Sequence, residues 1–236
     1  MWASQDYAGN SSVGDWFVPD TVQKQQLGLT IAAIDGYWGQ GEFIYLKSNA
    51  AVLKGSLVIW NETYNAVLLP STAGQGFPFA VAMNNAAAGT FFWAQTKGRC
   101  VYKTGATVAA DAAIGIGVAG VASTNSAGKQ LLGVRNVVAA TGTVTVTAGT
   151  RIANGILTTG GYDGFFLGMA LSGTGIPAAT VVAALSSDGN TIFTGSAVGV
   201  LGDKNSTATG TITLTGTYTG YGSGIIANGF TQGAIT

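Results

Sequence analysis

The chain has 236 residues, of which 47% are hydrophobic and only 8% are charged, and its formal net charge is zero. A disordered chain would combine low hydrophobicity with many charges, so disorder of the whole chain is not expected. Glycine is abundant at 37 residues but proline is rare at 4, which excludes a collagen-like repeat. With so little charge, the favoured interpretation is a surface that partner chains largely cover. The other interpretation is a surface that Ser, Thr, Asn and Gln side chains solvate.

Residues 1–35 hold Gln, Asn, Ser and Asp with scattered aromatic residues, and Gln23–Gly28 shows no clear strand alternation. This composition predicts an extended N-terminal arm whose aromatic side chains anchor on a surface. That surface belongs either to a partner or to the chain's own folded domain. The residues predicted to contact a partner are Trp2, Tyr7, Trp16 and Phe17.

Residues 36–160 are predicted to form the main β domain, because short apolar runs such as Leu57–Glu62 and Phe91–Thr96 alternate with turn residues. Residues 109–122 are rich in alanine but contain three interior glycines. Since each glycine costs a helix about 1 kcal/mol, we expect a buried strand or loop there. Thr and Val alternate over Gly142–Thr147, which predicts another strand.

Residues 161–217 are predicted to form an added C-terminal β module, in which Asp188–Gly189 is a strong hairpin signal. Residues 218–236 are rich in Gly, Tyr and Thr. We expect them to form a tail that adds an edge strand to a neighbouring chain. The prediction for the whole chain is an all-β fold with a small barrel or sandwich core, an extended N-terminal arm and an added C-terminal module.

Catalytic chemistry has little support in the sequence. The chain has no histidine and one cysteine, so neither a Ser-His-Asp relay nor a His- or Cys-based metal site can be assembled. Cys100 lies among cations that favour a reactive thiolate, but with no histidine base we interpret it as a small apolar strand residue. The run Gly115–Gly120 matches the dinucleotide pattern G-x-G-x-x-G, but a loop follows it and the required acid is missing.

We therefore predict no catalytic, cofactor-binding or metal-binding residues, and a protein that is not an enzyme. Ten dispersed acids leave a carboxylate-based hydrolase open, because the sequence does not pair them. Lys97, Arg99 and Lys103 with Tyr102 make one basic strand, too narrow a positive field for nucleic acid. The longest small-apolar run, Ala112–Ala122, has about half the length that spans a bilayer. No secretory signal is visible at the start. Because the positive field is narrow, we predict no nucleic-acid partner. Because the apolar run is short and no signal is visible, we predict no membrane partner.

Several segments, in the same order, resemble a family of tailed-bacteriophage virion structural proteins. They are Gly41–Lys47, Gly55–Glu62, Pro78–Met83, Phe92–Gly98 and Gly149–Gly155. The resemblance implies a small β-rich head component with a capsid cement or decoration role. Ser172–Pro177, with Gly168 and Met169 before it, is similar to a short β module of many phage and bacterial surface proteins.

The resulting expectation is a non-enzymatic virion protein on the capsid exterior, which binds the outer surface of the major capsid protein lattice and stabilises the head. We expect a homo-oligomer, with a trimer favoured, whose arms bury apolar area across subunit boundaries. The alternative is a receptor- or glycan-binding module of the head or tail. That alternative requires an exposed aromatic platform, for which Trp38, Trp60 and Trp93 are the candidates.

Overall fold

The computed structural model describes most of the chain as strands and turns. The described residues are 19–35, 39–106, 108–109, 111–138, 142–152, 155–158, 165, 168–186, 190–197, 200–201, 203–207, 211–218 and 220–233. They form an all-β fold, as predicted, with sixteen strands and no helix. Among these residues there is accordingly no helix long and apolar enough to cross a membrane.

The strands fall into two compact units, a sheet unit mainly within the described residues of 19–34, 39–138 and 220–233, and a barrel unit mainly within those of 142–218. The strands of the sheet are β1 (Thr30–Asp35), β2 (Gly39–Ser48), β3 (Leu57–Trp60), β4 (Asn65–Leu68), β5 (Ala80–Ala82), β6 (Phe91–Lys103), β7 (Ile114–Val118), β8 (Val121–Thr124), β9 (Leu131–Val138) and β16 (Tyr221–Thr231). Those of the barrel are β10 (Gly142–Ile152), β11 (Gly155–Thr158), β12 (Ala170–Gly173), β13 (Thr180–Leu185), β14 (Thr191–Gly195) and β15 (Thr211–Tyr218).

The sheet unit is built on an eight-stranded sheet in the order β1-β2-β4-β3-β5-β6-β16-β9. An additional pairing of β2 with β6 closes β2, β4, β3, β5 and β6 into a five-stranded ring. Alternate residues of these strands fill the ring with larger side chains such as Ile44, Leu46 and Phe92. Several inward positions are alanine, which lets five strands close around so small an interior.

β6 is 13 residues long and changes partners along its length. Its first half pairs with β2, and its second half pairs with β16. The change occurs at Gly98, whose φ is +99°, and a Cβ there would lie 2.6 Å from the carbonyl oxygen of Gln40. The buried Gln95 amide holds the turn of the backbone by donating to the carbonyls of Lys97 and Arg99, at 3.0 and 2.9 Å. A second core beneath β6, β16 and β9 contains Phe79, Tyr102, Leu131 and Ile226, among others.

The alanine-rich stretch is a β-hairpin of β7 and β8, not a helix, as the glycine content predicted. Gly115–Gly120 therefore lies on a strand and the following turn, and the strand-to-helix context of a dinucleotide site is absent from it. Ile114, Ile116 and Ala122 of this hairpin are buried in the second core.

The barrel unit is a closed ring of six strands in the order β10-β11-β14-β13-β12-β15, with β15 pairing back to β10. β13 and β14 pair as a hairpin, as Asp188–Gly189 predicted, although residues 187–189 lie outside the described residues. The buried residues of the barrel include Ile156, Val182, Ile192 and Leu214.

The predicted domain boundaries need two corrections. Residues 142–158 were assigned to the main β domain, but they form β10 and β11, which pair with β15 and β14 of the barrel. Residues 221–231 were assigned to a tail that adds a strand to a neighbouring chain. They form β16, an interior strand between β6 and β9 of their own sheet. In the sequence, the barrel is therefore inserted between β9 and β16, which are adjacent antiparallel strands of the sheet.

The boundary predicted at the end of the arm, residues 1–35, also needs a correction. Residues 30–35 form β1 at one edge of the sheet, next to β2. Residues 1–18, which include Trp2, Tyr7, Trp16 and Phe17, lie outside the described residues.

Candidate partner-binding surface

The first described residues after the arm are fastened to the outer wall of the five-stranded ring. The backbone N–H of Asp20 donates to the carbonyl of Phe91 at 2.8 Å, and the N–H of Phe91 donates back to Asp20 at 2.8 Å. The N–H of Gly28 donates to the carbonyl of Tyr45 at 2.9 Å, and the N–H of Tyr45 donates to Leu29 at 3.0 Å. Of the two surfaces left open for the arm, this root segment therefore uses the chain's own domain.

Tyr45 is the centre of this contact and is fully buried. Its hydroxyl donates to Asp20 Oδ2 at 2.8 Å and accepts the backbone N–H of Lys24 at 3.3 Å, while Lys24 Nζ lies 2.6 Å from Asp20 Oδ1. Burial, followed by the hydrogen bond to Asp20, raises the pKa of Tyr45 to about 12. The Tyr45 ring lies 6.1 Å from that of Phe91 and 5.0 Å from that of Trp93. A buried polar group with its partners in place fixes the position of residues 19–29.

The tryptophans proposed for a glycan platform do not form one where they are described. Trp93 is 2% exposed, and Trp60 is half-buried against the core of the five-stranded ring. Trp38 lies outside the described residues. A side chain that stacks on a sugar must present a ring face to solvent, and Trp93 does not.

Three large apolar side chains are exposed on the same face where β9 and β16 pair, and we call them the apolar patch. They are Leu132, Ile225 and Phe230, each 40–42% exposed. Phe230 lies opposite Leu132 on β9 and opposite Pro78 on its other side. The next pair, Leu131 and Thr231, is buried, so Leu132 and Phe230 point outward. The exposed cross-strand pair of Leu132 and Phe230 makes this face the candidate for a contact with another macromolecule.

The sequence did not single out these three residues. Phe230 stands in a Gly-rich stretch that was predicted to be a tail, and Leu132 is the second residue of a short apolar run. Their proximity depends on β16 lying between β6 and β9, a pairing that joins residues about 90 or more positions apart. No local periodicity reports such a pairing.

Cations flank the apolar patch on the same outward face. Lys97, Arg99 and Lys103 alternate along β6, and the intervening Cys100 and Tyr102 are buried. Arg99 lies opposite Ile225, which in turn lies opposite Arg135 on β9. Tyr102, which a nucleic-acid surface would need for stacking, points into the core, where its hydroxyl donates to the Asn136 side chain.

Carboxylates on this face pair with two of the cations. Glu42 Oε1 lies 2.9 Å from Lys97 Nζ, and Asp111 forms an ion pair with Arg135. The hydrogen bond from Arg135 lowers the pKa of Asp111. Both pairs are solvent-exposed, so each contributes little to stability.

Cys100 is buried, and its burial raises the pKa of the thiol to about 12. The neighbouring cations on β6 point away from it, so they do not activate it. The interpretation of Cys100 as a packing residue is therefore confirmed. The described residues contain no group of three or more His, Cys, Asp or Glu side chains that would hold a metal ion.

Comparison of the chain with protein-family models, with curated proteins and with solved structures finds no match. What the protein does must therefore be inferred from its own residues and surfaces.

Proposed function

We propose that the chain is a non-enzymatic structural protein of a tailed-phage virion. In this proposal it is a capsid cement or decoration protein that binds the outer surface of the major capsid protein lattice and stabilises the head. The observation that carries the proposal is the apolar patch on a chain with only 8% charged residues. A surface of this kind is best accounted for by permanent contact with other chains.

The segments that resemble phage virion proteins support the same proposal. Four of the five coincide with β2, β3, β5 and β6 and their flanking residues, which build the five-stranded ring. The resemblance is thus concentrated in the residues that determine the fold of the sheet unit. The barrel unit, which is an insertion in that sheet, contains only Gly149–Gly155 of them.

The proposed mechanism is mechanical. A homo-oligomer, with a trimer favoured, sits over junctions between shell subunits and buries apolar area on each of them. At about 25 cal/mol per Å², a few hundred Å² per boundary adds several kcal/mol before ordering costs. Trp2, Tyr7, Trp16 and Phe17 remain the predicted contact residues of the arm. Repeated over a shell, the added contacts resist internal pressure.

The alternative, a receptor- or glycan-binding module, has less support. It requires an exposed aromatic platform, and among the described candidates Trp93 is buried while Trp60 packs on the core. The number of copies per particle separates the two functions. A cement protein occupies every equivalent position on the lattice, whereas a receptor-binding module occupies a vertex or the tail.

The test is the number of copies of this chain per particle. Purified virions from the phage that encodes it are digested, and isotope-labelled peptides of this chain and of the major capsid protein are quantified together. We expect a ratio near one to one or a simple fraction of it. A handful of copies would favour the receptor-binding alternative, and absence from the particle would contradict both.

A second measurement tests stabilisation directly. Particles depleted of the chain are reloaded with the purified protein, and DNA release is followed on heating. Reloaded particles should release DNA at a higher temperature than depleted ones. Equal release temperatures at full occupancy would contradict the cement role, even if the chain is part of the virion.

A further inference from the structure

Asn228 is an exposed asparagine that is followed directly by a glycine. Two asparagines of the chain precede glycine, Asn154 and Asn228, and Asn154 lies outside the described residues. Asparagine is a thermolabile residue, because the backbone nitrogen of the next residue can attack its side-chain amide. A glycine at that next position has no side chain to obstruct the attack. Asn228 therefore meets the local chemical requirement for loss of its amide.

The backbone at Asn228 departs from the regular ladder of β16. Its φ is +54°, in the left-handed region that asparagine tolerates better than most residues. Among the described strands, the pairing with β9 shifts between Ile226 and Phe230, so residues 227–229 are not in register with any residue of β9. On the other side, the pairing with β6 ends at Ala227. Neither ladder holds the peptide between Asn228 and Gly229 in extended geometry.

Packing requires the glycine at position 229. A Cβ there would lie 2.5 Å from Phe79 Cζ, and the carbonyl of Gly229 accepts the backbone N–H of Phe79 at 3.0 Å. Opposite this bulge, Gly133 has a φ of +68°, and a Cβ there would lie 2.7 Å from the carbonyl oxygen of Ala227. Gly229 is buried, whereas Asn228 is exposed. The fold thus requires the residue that makes Asn228 reactive, and it leaves Asn228 itself in contact with water.

We propose that Asn228 is a site of spontaneous deamidation in the folded protein. The backbone nitrogen of Gly229 loses its proton and attacks Cγ of Asn228, which forms a C–N bond and closes a cyclic succinimide. The side-chain nitrogen takes up a proton and leaves as ammonia. Water then opens the ring. Attack at Cγ gives aspartate, and attack at the main-chain carbonyl carbon gives isoaspartate. The reaction consumes water, releases ammonia and changes no oxidation state.

The bulge constrains the product of the ring opening. Isoaspartate inserts an extra methylene into the main chain, whereas aspartate keeps the original main chain. The bulge has little room for a longer main chain, because Gly229 lies against Phe79, and Gly133 lies against the carbonyls of Ala227 and Asn228. We therefore expect a larger share of aspartate from the folded protein than from the unfolded chain.

Either product places a negative charge two residues from Phe230 of the apolar patch, on a chain whose formal net charge is zero. A new charge beside exposed apolar side chains changes what that face can contact without desolvation cost. The reaction needs only this chain and water, so it does not depend on the proposed function.

The experiment incubates the full chain, folded or in urea, at pH 8 and 37 °C in water labelled with oxygen-18. Conversion during the incubation places the label in the new carboxylate, so earlier modification is not counted. Peptide mapping by mass spectrometry reports the label at each asparagine, and chromatography separates aspartate from isoaspartate peptides. The matched internal controls are Asn49 and Asn85, which are exposed but precede alanine. The control variant is Asn228→Gln, whose longer side chain closes a ring more slowly.

In the folded protein, Asn228 should take up the label roughly tenfold faster than Asn49 or Asn85, because only Asn228 precedes an unobstructed nitrogen. Position 228 of the Asn228→Gln variant should stay unlabelled, and the ratio of aspartate to isoaspartate should be higher in the folded protein than in urea. No label at Asn228 of the folded protein, with label there in urea, would overturn the proposal, since the fold would then protect the site. Equal labelling of Asn49 or Asn85 would also overturn it, and so would label at Asn154 without label at Asn228.

Discussion

The two units of this chain are both all-β, but different interactions hold their strands together. The sheet unit buries large aromatic side chains, such as Trp93, Tyr45 and Tyr102. The Tyr45 hydroxyl donates to Asp20 and the Tyr102 hydroxyl donates to Asn136. The barrel unit buries mainly aliphatic side chains, and its strands approach each other closely at glycine positions. The comparison teaches that buried aromatic residues with hydrogen-bond partners organise the sheet unit, whereas the barrel closes around smaller side chains, and glycines allow close backbone approach in both.

The largest effect is expected in the barrel, at Gly195. A Cβ at this position would lie 1.8 Å from the carbonyl oxygen of Val200 and 2.9 Å from Ala183 Cβ. Gly195→Ala should lower the free energy of unfolding of the barrel by about 3 kcal/mol, because backbone must move to admit the methyl group. Hydrogen exchange at the amides of Val182 and Ile192 measures this loss.

The control for this substitution is Gly105→Ala in the sheet unit, where the nearest atom to a new Cβ, Val121 Cγ1, is 3.6 Å away. It should change stability by less than about 0.5 kcal/mol. Equal protection of the barrel amides in Gly195→Ala and in the unsubstituted protein would show that close backbone approach does not hold the barrel together.

In the sheet unit, alkaline pH should weaken the fold. The pKa of Cys100 rises from 9.0 to about 12 on burial, so the folded state holds this proton more tightly than the unfolded state does. The contribution of the protonated Cys100 thiol to the free energy of unfolding is fully present below pH 9 and is lost as the pH rises from 9 to about 12. The loss should be on the order of 2 kcal/mol by pH 11. Urea unfolding followed by tryptophan fluorescence measures it, because residues 142–219 contain no tryptophan.

Cys100→Ala should flatten this dependence, leaving the smaller contribution of Tyr45, whose pKa is also raised. A thiol reagent added to the folded protein at pH 8 should leave Cys100 unmodified until the sheet unit unfolds. Rapid modification under native conditions would contradict the packing role of Cys100.

A comparable loss is expected at Asn136, which is buried and fixes residues 108–109 to β9. Its Nδ2 donates to the carbonyls of Val108 and Ala109 at 2.8 Å, and its Oδ1 accepts the Tyr102 hydroxyl. Asn136→Leu should cost about 2 kcal/mol, since it leaves buried polar groups without partners. Thermal unfolding followed by tryptophan fluorescence measures the change.

The matched control is Asn65→Ala, because the Asn65 side chain makes an exposed hydrogen bond to Thr63 Oγ1. If both substitutions shifted the unfolding midpoint equally, the buried network would not be what stabilises this part of the sheet.

A smaller effect is expected at the contact that fastens residues 19–29. Tyr45→Phe removes the hydroxyl that donates to Asp20 and should cost about 1 kcal/mol. Exchange of the Gly28 amide, which donates to the Tyr45 carbonyl, should quicken several-fold. Tyr64→Phe keeps the ring that packs on Gly28 and should leave this exchange unchanged. Similar exchange in the two variants would argue against a fastening role for the Tyr45 hydroxyl.

The smallest effect should follow from removal of the whole barrel. Its ends meet, because Gly142 pairs with Tyr218, and the strands that flank it also meet, because Val138 pairs with Ser223. We therefore replace residues 139–220 with a short Asn-Gly turn. The free energy of unfolding of the sheet unit, followed by tryptophan fluorescence, should stay within about 0.5 kcal/mol of its value in the full chain. Loss of the cooperative transition would show that the sheet unit requires the barrel.

How far the sequence predicts this protein depends on the range of the interactions involved. Turn residues and period-two alternation are local, and they predicted the strands at residues 57–60 and 91–96 and the hairpin of residues 180–195. The glycines of residues 109–122 correctly excluded a helix. The apolar patch was not predicted, because Leu132 and Phe230 lie opposite each other only through a pairing between distant segments.

By itself the sequence determined the all-β class, since composition and turn chemistry need no tertiary information. Tertiary structure alone decided which strands belong together. Residues 142–158 alternate in the same way as the strands before them, yet they complete the barrel, and residues 221–231 return to the interior of the sheet. The physical reason is that every strand offers the same backbone donors and acceptors, so the backbone does not select a partner. The partner is selected by how the side chains of whole sheet faces pack, and those faces combine segments that are distant in the sequence.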